Sequence, residues 1–234
     1  MPTREQITAL GNTVTGLFAC FANVAAATPA TSAAYERGAA AIAATSDPVE
    51  QIVVLVGMAR DIASSGVIVA SDWMAAGRAA SALPAASISP AITRSLGFAR
   101  CGSAFVEAAC WQEAAIAAVT TPPRIRDDAQ ALRTAIVDGV EPVLDRVVAY
   151  CGEDAYHALR ATVDAALEGI DAAIVSIAPL VKIRTARRIP SSVAAWILYD
   201  DPSRAGELVE RSGTATPMIM PLEFLAAAPG DYSA

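Results

Sequence analysis

The stretch "EDAYHALRATVDAALEGIDAAIVSIAPLV" (153–181) decides the fold class, because its apolar residues recur at every third or fourth position. They are Tyr156, Leu159, Val163, Leu167, Ile170, Ile174, Ile177 and Val181. Between them fall the charged residues Arg160, Asp164, Glu168 and Asp171. One apolar stripe opposite a charged face is typical of an amphipathic α-helix. The stretch therefore predicts a long helix that packs along one side.

A second amphipathic segment precedes the first and has the same period. Its apolar stripe consists of Leu132, Ile136, Val140, Val143 and Val147. Only Cys151 and Gly152 separate the two segments, so we expect them to fold back on each other as an antiparallel helical hairpin. Pro142 is expected to bend the earlier arm.

Helix start signals extend this pattern along the chain. A capping side chain stands before a proline at Asp47-Pro48, Ser89-Pro90 and Asp201-Pro202. Together with breaks at proline and glycine, these signals predict helices over 4–27, 30–45, 48–82, 90–120, 124–150, 153–181, 191–199 and 202–212. Only 216–225 looks extended, and its two prolines argue against a central strand.

These signals predict a mainly α fold, an extended helical bundle with hairpins and a small C-terminal appendage of helix-turn-helix and a short strand. We expect an N-terminal helical region (1–90), a long helical hairpin (91–189) and a C-terminal module (190–228). The 48–82 segment is apolar on more than one face, which favours a central place in a bundle or burial between subunits.

Glycines interrupt the 48–82 segment at Gly57, Gly66 and Gly77. Because no strand precedes them, they do not form a phosphate-binding loop. We interpret them as points where neighbouring helices approach closely.

The composition limits the classes of partner. The chain has 234 residues, 54% of them hydrophobic, and a net charge of −7. An acidic balance argues against broad binding to a nucleic-acid backbone, which needs a basic stripe. Much of the apolar content is alanine, which buries little area per residue and favours helix pairs or an assembly over a thick core.

The N-terminal stretch 7–27 carries no charge, and its length allows a signal peptide or a membrane span. It also contains Asn12, Asn23, three threonines and two glycines, and it is only weakly hydrophobic. We therefore favour a buried amphipathic helix and expect no membrane partner.

No catalytic, cofactor or metal motif is present in the sequence. Cys20, Cys101, Cys110 and Cys151 lack the CxxC spacing of a zinc site, and His157 is the only histidine. We interpret the four cysteines as buried thiols in a reducing compartment.

Paired carboxylates at 127–128 and 153–154 stand in first helical turns, where they complement the helix dipole. These patterns predict a protein that is not an enzyme and needs no cofactor. A small helical enzyme or sensor with a site of scattered carboxylates remains an alternative.

The one basic cluster is "KIRTARR", with Lys182, Arg184, Arg187 and Arg188. It either complements the end of a helix in solvent or forms a docking strip for an acidic neighbour or a nucleic acid. A protein partner ranks ahead of DNA because the chain is acidic.

The aromatic residues Trp196 and Tyr199 follow three positions apart on a short predicted helix. They are either core residues or an anchor on a neighbouring subunit, and we favour the core.

The C-terminal stretch "RIPSSVAAWILYDDPSRAGELVERSGTATPMIMPLEFL" (188–225) resembles the end of the Mu-like phage DNA circularisation protein family, tail and baseplate components of contractile-tailed phages. The matching positions are Pro190, Leu198-Tyr199, Asp200-Asp201, Arg204-Ala205, Glu207-Leu208-Val209, Arg211 and Leu222. The resemblance extends, more diffusely, over roughly 98–226. The order of turn, short helices and terminal strand is also similar to a degenerate lysin-motif module.

The sequence departs from the family pattern at two places. Ser212 replaces an asparagine, and "MIMP" (218–221) replaces a glycine-rich turn. Both departures favour protein docking over recognition of sugar or peptidoglycan. The family's separate N-terminal domain, which gives it its name, is not recognised here, so the circularisation activity is not carried over.

The resemblance implies a structural virion subunit of a contractile phage tail or a phage-derived injection particle, at the baseplate hub or hub–wedge junction. The implied partners are hub, wedge and tube-end proteins and further copies of the chain in a ring, assembled in the host cytoplasm. We assign partner contacts to Lys182, Arg184, Arg187, Arg188, Trp196, Tyr199, Arg204, Leu222 and Phe224. The alternative function is a DNA-associated protein that acts on phage genome ends.

Overall fold

The computed structural model describes residues 3–84, 96–213 and 216–228. In these ranges the chain is mainly α-helical with one two-stranded sheet, which confirms the predicted fold class. It divides into two compact units, one of residues 1–122 and 133–170 and the other of 123–132 and 171–234. The predicted boundaries after residues 90 and 189 do not coincide with this division.

The described residues of the first unit include six helices that belong to it alone. Their bounds are α1 Arg4–Ala19, α2 Ala22–Ala25, α3 Pro29–Ala44, α4 Pro48–Ser65, α5 Ala70–Ser81 and α6 Gly97–Thr120. The helices α7 (Arg126–Cys151) and α8 (Glu153–Ser176) contribute residues to both units. The start signal at Ser89-Pro90 lies outside the described residues.

Side-chain caps begin several of these helices. The Thr3 hydroxyl accepts the Gln6 backbone N–H while the Thr3 N–H donates to the Gln6 side chain, a reciprocal capping box. The Asp47 carboxylate accepts the Val49 N–H at 3.0 Å, which confirms the start signal before Pro48.

The sequence predicted one helix over 48–82, and this prediction is wrong. The segment forms two helices, α4 and α5, with a break between them. Gly66 is fully extended at the end of α4, and the β-branched run 67–69 follows it. Glycine followed by three β-branched residues weakens a helix locally, and this combination separates the two helices.

Helix α6, rather than the 48–82 segment, is the central helix of the first unit. It packs against α1, α4 and α5, and it is buried on several faces. Half of its buried positions are alanine, and Gly102, Ser103 and Cys110 are also small, so neighbouring helices approach it closely. By contrast, α4 leaves Val49 and Val53 exposed.

Tryptophan and glycine set the distance between helices around α6. Trp111 of α6 is buried against Gly77 of α5 and Gly139 of α7, and a Cβ at either glycine would overlap its indole. The close approaches predicted at Gly66 and Gly77 are confirmed. The one predicted at Gly57 is wrong, because no atom lies within 4 Å of a Cβ built there.

The predicted helical hairpin is formed by α7 and α8, which meet at a turn of one residue. Gly152 adopts a φ of 91°, which a side chain would disfavour. Val140 and Leu144 of α7 and Val163 and Leu167 of α8 line one cavity of about 70 Å³, so the two apolar stripes face each other.

The helix predicted over 4–27 is divided at residues 20–21 into α1 and α2, and α1 buries one apolar side. Leu10, Val14 and Leu17 lie on the buried side of α1. Among the described residues, one stretch, Arg4–Ala25, is long and apolar enough to cross a membrane by length and composition alone. Buried helices of other proteins pass the same test, so this finding does not assign the stretch to a membrane.

The second unit ends in a small mixed module. It comprises β1 Leu180–Arg184, α9 Ser191–Tyr199, a 3-10 turn Pro202–Arg204, α10 Ala205–Ser212 and β2 Glu223–Ala227. The strands pair antiparallel, with Leu180 opposite Ala227 and Arg184 opposite Glu223.

Strand β1 overturns the prediction that the preceding helix runs to Val181. Helix α8 ends at Ser176, three residues before Pro179, whose ring cannot continue a helix. The basic cluster therefore begins on a strand rather than at a helix end, and the helix-dipole account of it does not apply.

Candidate functional site

The C-terminal module, residues 180–228, has its own small core. The buried residues of this core are Ala194, Ala195, Leu208, Met220, Phe224 and Ala226. Helices α9 and α10 and strand β2 each contribute to it, and Ile183 and Leu198 pack at its margin. The core is complete without the larger apolar residues on the outside of the module.

Backbone hydrogen bonds hold the segment before β2 against the segment before α9. The Ser191 N–H donates to the Pro217 carbonyl at 2.8 Å, and the Met220 N–H donates to the Ile189 carbonyl at 2.9 Å. This arrangement turns Met220 into the core and leaves Met218 68% exposed. The "MIMP" run (218–221) is thus an ordered turn with apolar side chains on its outer side.

Exposed apolar side chains on two segments lie on the outside of the module, and we call them together the docking face. Its residues are Val193, Trp196 and Ile197 of α9 and Met218, Ile219 and Leu222 of the segment before β2. Trp196 is 59% exposed and Ile197 is 63% exposed. Residues three and four apart share one side of a helix, so the three α9 residues point in the same direction.

The preference for Trp196 as a core residue is wrong. Ala194 and Ala195 occupy the buried side of α9, with Leu198 packed beside them, and Trp196 falls on the opposite side. A nine-residue helix that is apolar all round predicts burial or an interface, and only one of its sides is buried within this chain.

The basic residues form a strip beside the sheet. The Lys182 ammonium lies 2.5 Å from a Glu223 carboxylate oxygen, and the Arg184 guanidinium lies 3.6 Å from the other. Arg187 and Arg188 are exposed, and no ion pair within the described ranges joins either of them. Glu223 therefore offsets one of four positive charges, and the strip remains net positive.

Tyr199 and Arg204, which the sequence assigned to partner contacts, hold the module together. The Arg204 guanidinium lies 3.7 Å above the Tyr199 ring and pairs with Glu207 at 3.0 Å. The Tyr199 hydroxyl donates to the Ala227 carbonyl at 3.3 Å, and burial raises the pKa of this phenol. These contacts join α9, α10 and β2.

Of the remaining assigned residues, Trp196 and Leu222 lie on the docking face, whereas Phe224 is only 4% exposed inside the module core. The predicted partner contact at Phe224 is therefore wrong, because its side chain belongs to the core.

Two contacts in the second unit involve the start of α7. The Arg211 guanidinium of α10 pairs with the Asp128 carboxylate, so Asp128 does more than complement the dipole of its helix. The Arg126 side chain donates to the Ile174 carbonyl of α8 at 3.2 Å. The sequence carried no signal for these pairings because the partners are far apart along the chain.

Sequence reasoning missed Val193, Ile197, Met218 and Ile219 of the docking face. Two signals could have found them. Helix α9 has more apolar residues than one buried side accommodates, and "MIMP" is an apolar run at a turn.

A polar cavity of about 310 Å³ lies in the first unit. Glu107, 1% exposed, accepts two hydrogen bonds there from Arg146, at 2.9 and 2.5 Å. The Ser103 hydroxyl donates to the Ala80 carbonyl at 2.6 Å. These groups are engaged with each other or with backbone, so the cavity presents no activated nucleophile. An enzyme or sensor built on it remains a hypothesis.

In the described part of the chain, no group of three or more histidine, cysteine, aspartate or glutamate side chains is arranged to hold a metal ion. His157 is exposed and packs edge-on against Tyr156, with ring centroids 5.3 Å apart.

Comparison of the sequence with models of known protein families and with curated proteins gives no match.

Proposed function

We propose that this protein is a structural, non-enzymatic subunit that docks on other proteins through the docking face of its C-terminal module. The observation that carries the proposal is the exposure of Trp196 and Ile197 on a module whose core is already complete. Tryptophan is among the residues that most often dominate the energy of protein interfaces. An exposed apolar face on a small ordered module is typical of an interaction site.

The chemistry around the docking face supports a protein partner with an acidic margin. The net positive strip that includes Arg187 and Arg188 belongs to the same module. Charges of this kind at the rim of an apolar contact accelerate association and select partners of opposite charge. The partner surface is therefore an apolar groove or patch bordered by carboxylates.

The assembly that we propose is a contractile phage tail or a phage-derived particle, at the baseplate hub or hub–wedge junction. The resemblance of 188–225 to the phage tail family supports this assignment, and the alanine-rich helices suit a subunit ordered within a larger assembly. Rings of identical subunits multiply a modest contact by their copy number.

The experiment is mass determination by light scattering, with the protein alone and with the tail gene products encoded beside it. We expect a ring or a defined complex, and we expect Trp196→Ala to weaken it by roughly tenfold or more. Val67→Ser is the matched control, because Val67 is 73% exposed in the first unit. A monomer that binds none of the tail proteins, or a complex whose affinity is unchanged by Trp196→Ala, would contradict the proposal.

A nucleic-acid role is the second candidate, favoured by the exposed guanidinium groups of Arg184, Arg187 and Arg188. It requires DNA binding that weakens steeply with salt, since each phosphate contact releases counterions. Replacing the three arginines by glutamate separates the two functions. Loss of assembly with no change in DNA binding favours docking, whereas loss of salt-dependent DNA binding favours the nucleic-acid role.

A further inference from the structure

Two of the four free cysteines lie together in the first unit. Cys101 of α6 and Cys151 of α7 are 50 positions apart in the sequence, yet their Sγ atoms are 4.0 Å apart. The Cys151 Sγ also lies 3.6 Å from the Cys101 carbonyl oxygen. Both side chains are half-buried, as is Cys20, whereas Cys110 is fully buried, so the expectation of four buried thiols is correct only for Cys110.

We propose that Cys101 and Cys151 are a redox-active pair that closes to a disulfide by exchange with a low-molecular-weight disulfide such as oxidised glutathione. The docking face belongs to the other unit, so this site is independent of the proposed function.

Cys101 is the residue that a small disulfide reaches first. It lines an apolar cavity of about 300 Å³ together with Leu10, Ile52, Phe105 and Val53. Val53 is 67% exposed, so the cavity opens to the surface. A hydrogen bond with Cys151 lowers the pKa of the Cys101 thiol to about 7, whereas burial raises the pKa of Cys20 and of Cys110.

Cys151 stands where the backbone can move to close the bond. It is the last residue of α7, and Gly152 follows it with a φ of 91°. A disulfide needs its sulfur atoms about 2 Å apart, so the pair must approach by about 2 Å. Rotation of the side chains and a small shift at a helix end supply such a movement more readily than two helix interiors would.

The thiol–disulfide exchange proceeds in two steps. The Cys101 thiolate attacks one sulfur of the small disulfide, whose S–S bond breaks and releases one thiolate, leaving a mixed disulfide on Cys101. Cys151 then loses its proton to solvent and attacks the Cys101 sulfur, and the second small thiolate leaves and takes up a proton. Two protein thiols are oxidised, and one small disulfide is reduced to two thiols.

The test uses the reduced full-length chain and oxidised glutathione as the probe. After quenching with an alkylating reagent, tryptic peptides are compared without reduction. We expect peptide 101–124 to be linked to peptide 147–160 with the loss of two hydrogens. We expect the initial rate to rise with pH around a midpoint near 7, as a Cys101 thiolate requires.

Single-residue variants distinguish the roles of Cys101 and Cys151 in the exchange. Cys151→Ser should stop at the mixed disulfide, with one glutathione retained on Cys101, whereas Cys101→Ser or Cys101→Ala should form no internal link. Cys20→Ser is the matched control and should react as the wild type does, because Cys20 is also half-buried but is not one of the pair. The linked protein should melt roughly 5–15 °C above the reduced one, because the disulfide closes a loop of about 50 residues.

Two results would overturn the proposal. One is the absence of a link between Cys101 and Cys151 under conditions in which glutathione has already modified Cys20. The other is an internal link that still forms in Cys101→Ser.

Discussion

Small side chains control the packing of this protein at the scale of single residues. Trp111 fits between α5 and α7 only because Gly77 and Gly139 present no Cβ to its indole. Gly102 similarly admits Leu10 and Ile52 against α6. In an alanine-rich protein the few large side chains need such gaps, since interiors are packed without spare volume.

Substitution of Gly139 by alanine therefore tests the packing. The new methyl group would overlap Trp111, so we expect Gly139→Ala to lower the free energy of unfolding by about 1–3 kcal/mol. The control is Gly57→Ala, which lies inside α4 with no atom within 4 Å of the new Cβ, and which should stabilise by up to about 1 kcal/mol. Denaturant unfolding measures both, and equal effects would contradict this account.

At the scale of elements, polar caps and proline positions decide where helices begin and end. Pro179 ends α8 early enough for β1 to form. In the C-terminal module, Asp201 caps the turn that leads into α10, and its carboxylate accepts the Ser203 N–H at 2.9 Å. This cap joins α9 to α10 and so positions the docking face.

The cap at Asp201 makes module stability depend on pH. Hydrogen bonds from the Ser203 side chain and backbone hold the pKa of Asp201 below its ordinary value. A carboxyl with a lower pKa in the folded state contributes stability above its unfolded pKa and loses that contribution as pH falls through its folded pKa. The advantage of the wild type over Asp201→Ala should therefore shrink as pH falls below about 4.

Denaturant unfolding of the module across pH checks this expectation. Asp201→Ser is the control, because a serine hydroxyl caps a helix without a charge, and its advantage over Asp201→Ala should not change with pH. An equal pH dependence of the serine variant would show that another group causes the effect.

At the scale of the whole molecule, the chain has two compact units with separate cores. The core of the C-terminal module contains few large side chains, chiefly Leu208, Met220 and Phe224. A core this small depends strongly on each of its members, so the module should open more readily than the α6 region.

Hydrogen exchange can test whether the module opens by itself. Phe224→Ala should cost the module about 3–5 kcal/mol and increase exchange of amides in β1 and α9, while α6 keeps its protection. Leu225→Ala is the matched control, because Leu225 is the next residue of β2 and is 42% exposed. Equal loss of protection in α6 would mean that the molecule unfolds as one unit.

Much of the helical architecture could be predicted from residues that are near each other in the chain. The stripe of 153–181 predicted α8 but not its end at Ser176, and the short link at Gly152 predicted the hairpin. At both predicted start signals, Asp47 and Asp201, the carboxylate accepts a backbone N–H of the turn that follows it. Each of these features depends on interactions within a few residues, which a single sequence displays directly.

The candidate site was only partly predictable. The sequence singled out Trp196 and Leu222 but placed Trp196 in the core, and it included Phe224, which is buried. A short helix that is apolar all round does not reveal which side faces inward. That choice depends on the neighbours that arrive from α10 and β2.

Periodicity, caps and prolines act locally, so the amino-acid sequence was enough to predict the fold class, the hairpin and several helix starts. Four other features became evident only from the folded chain: the central place of α6, the pairing of β1 with a strand some 40 residues later, the outward side of Trp196 and the proximity of Cys101 to Cys151. These outcomes depend on contacts between distant segments, whose partners are selected by shape and close packing and not by any local pattern.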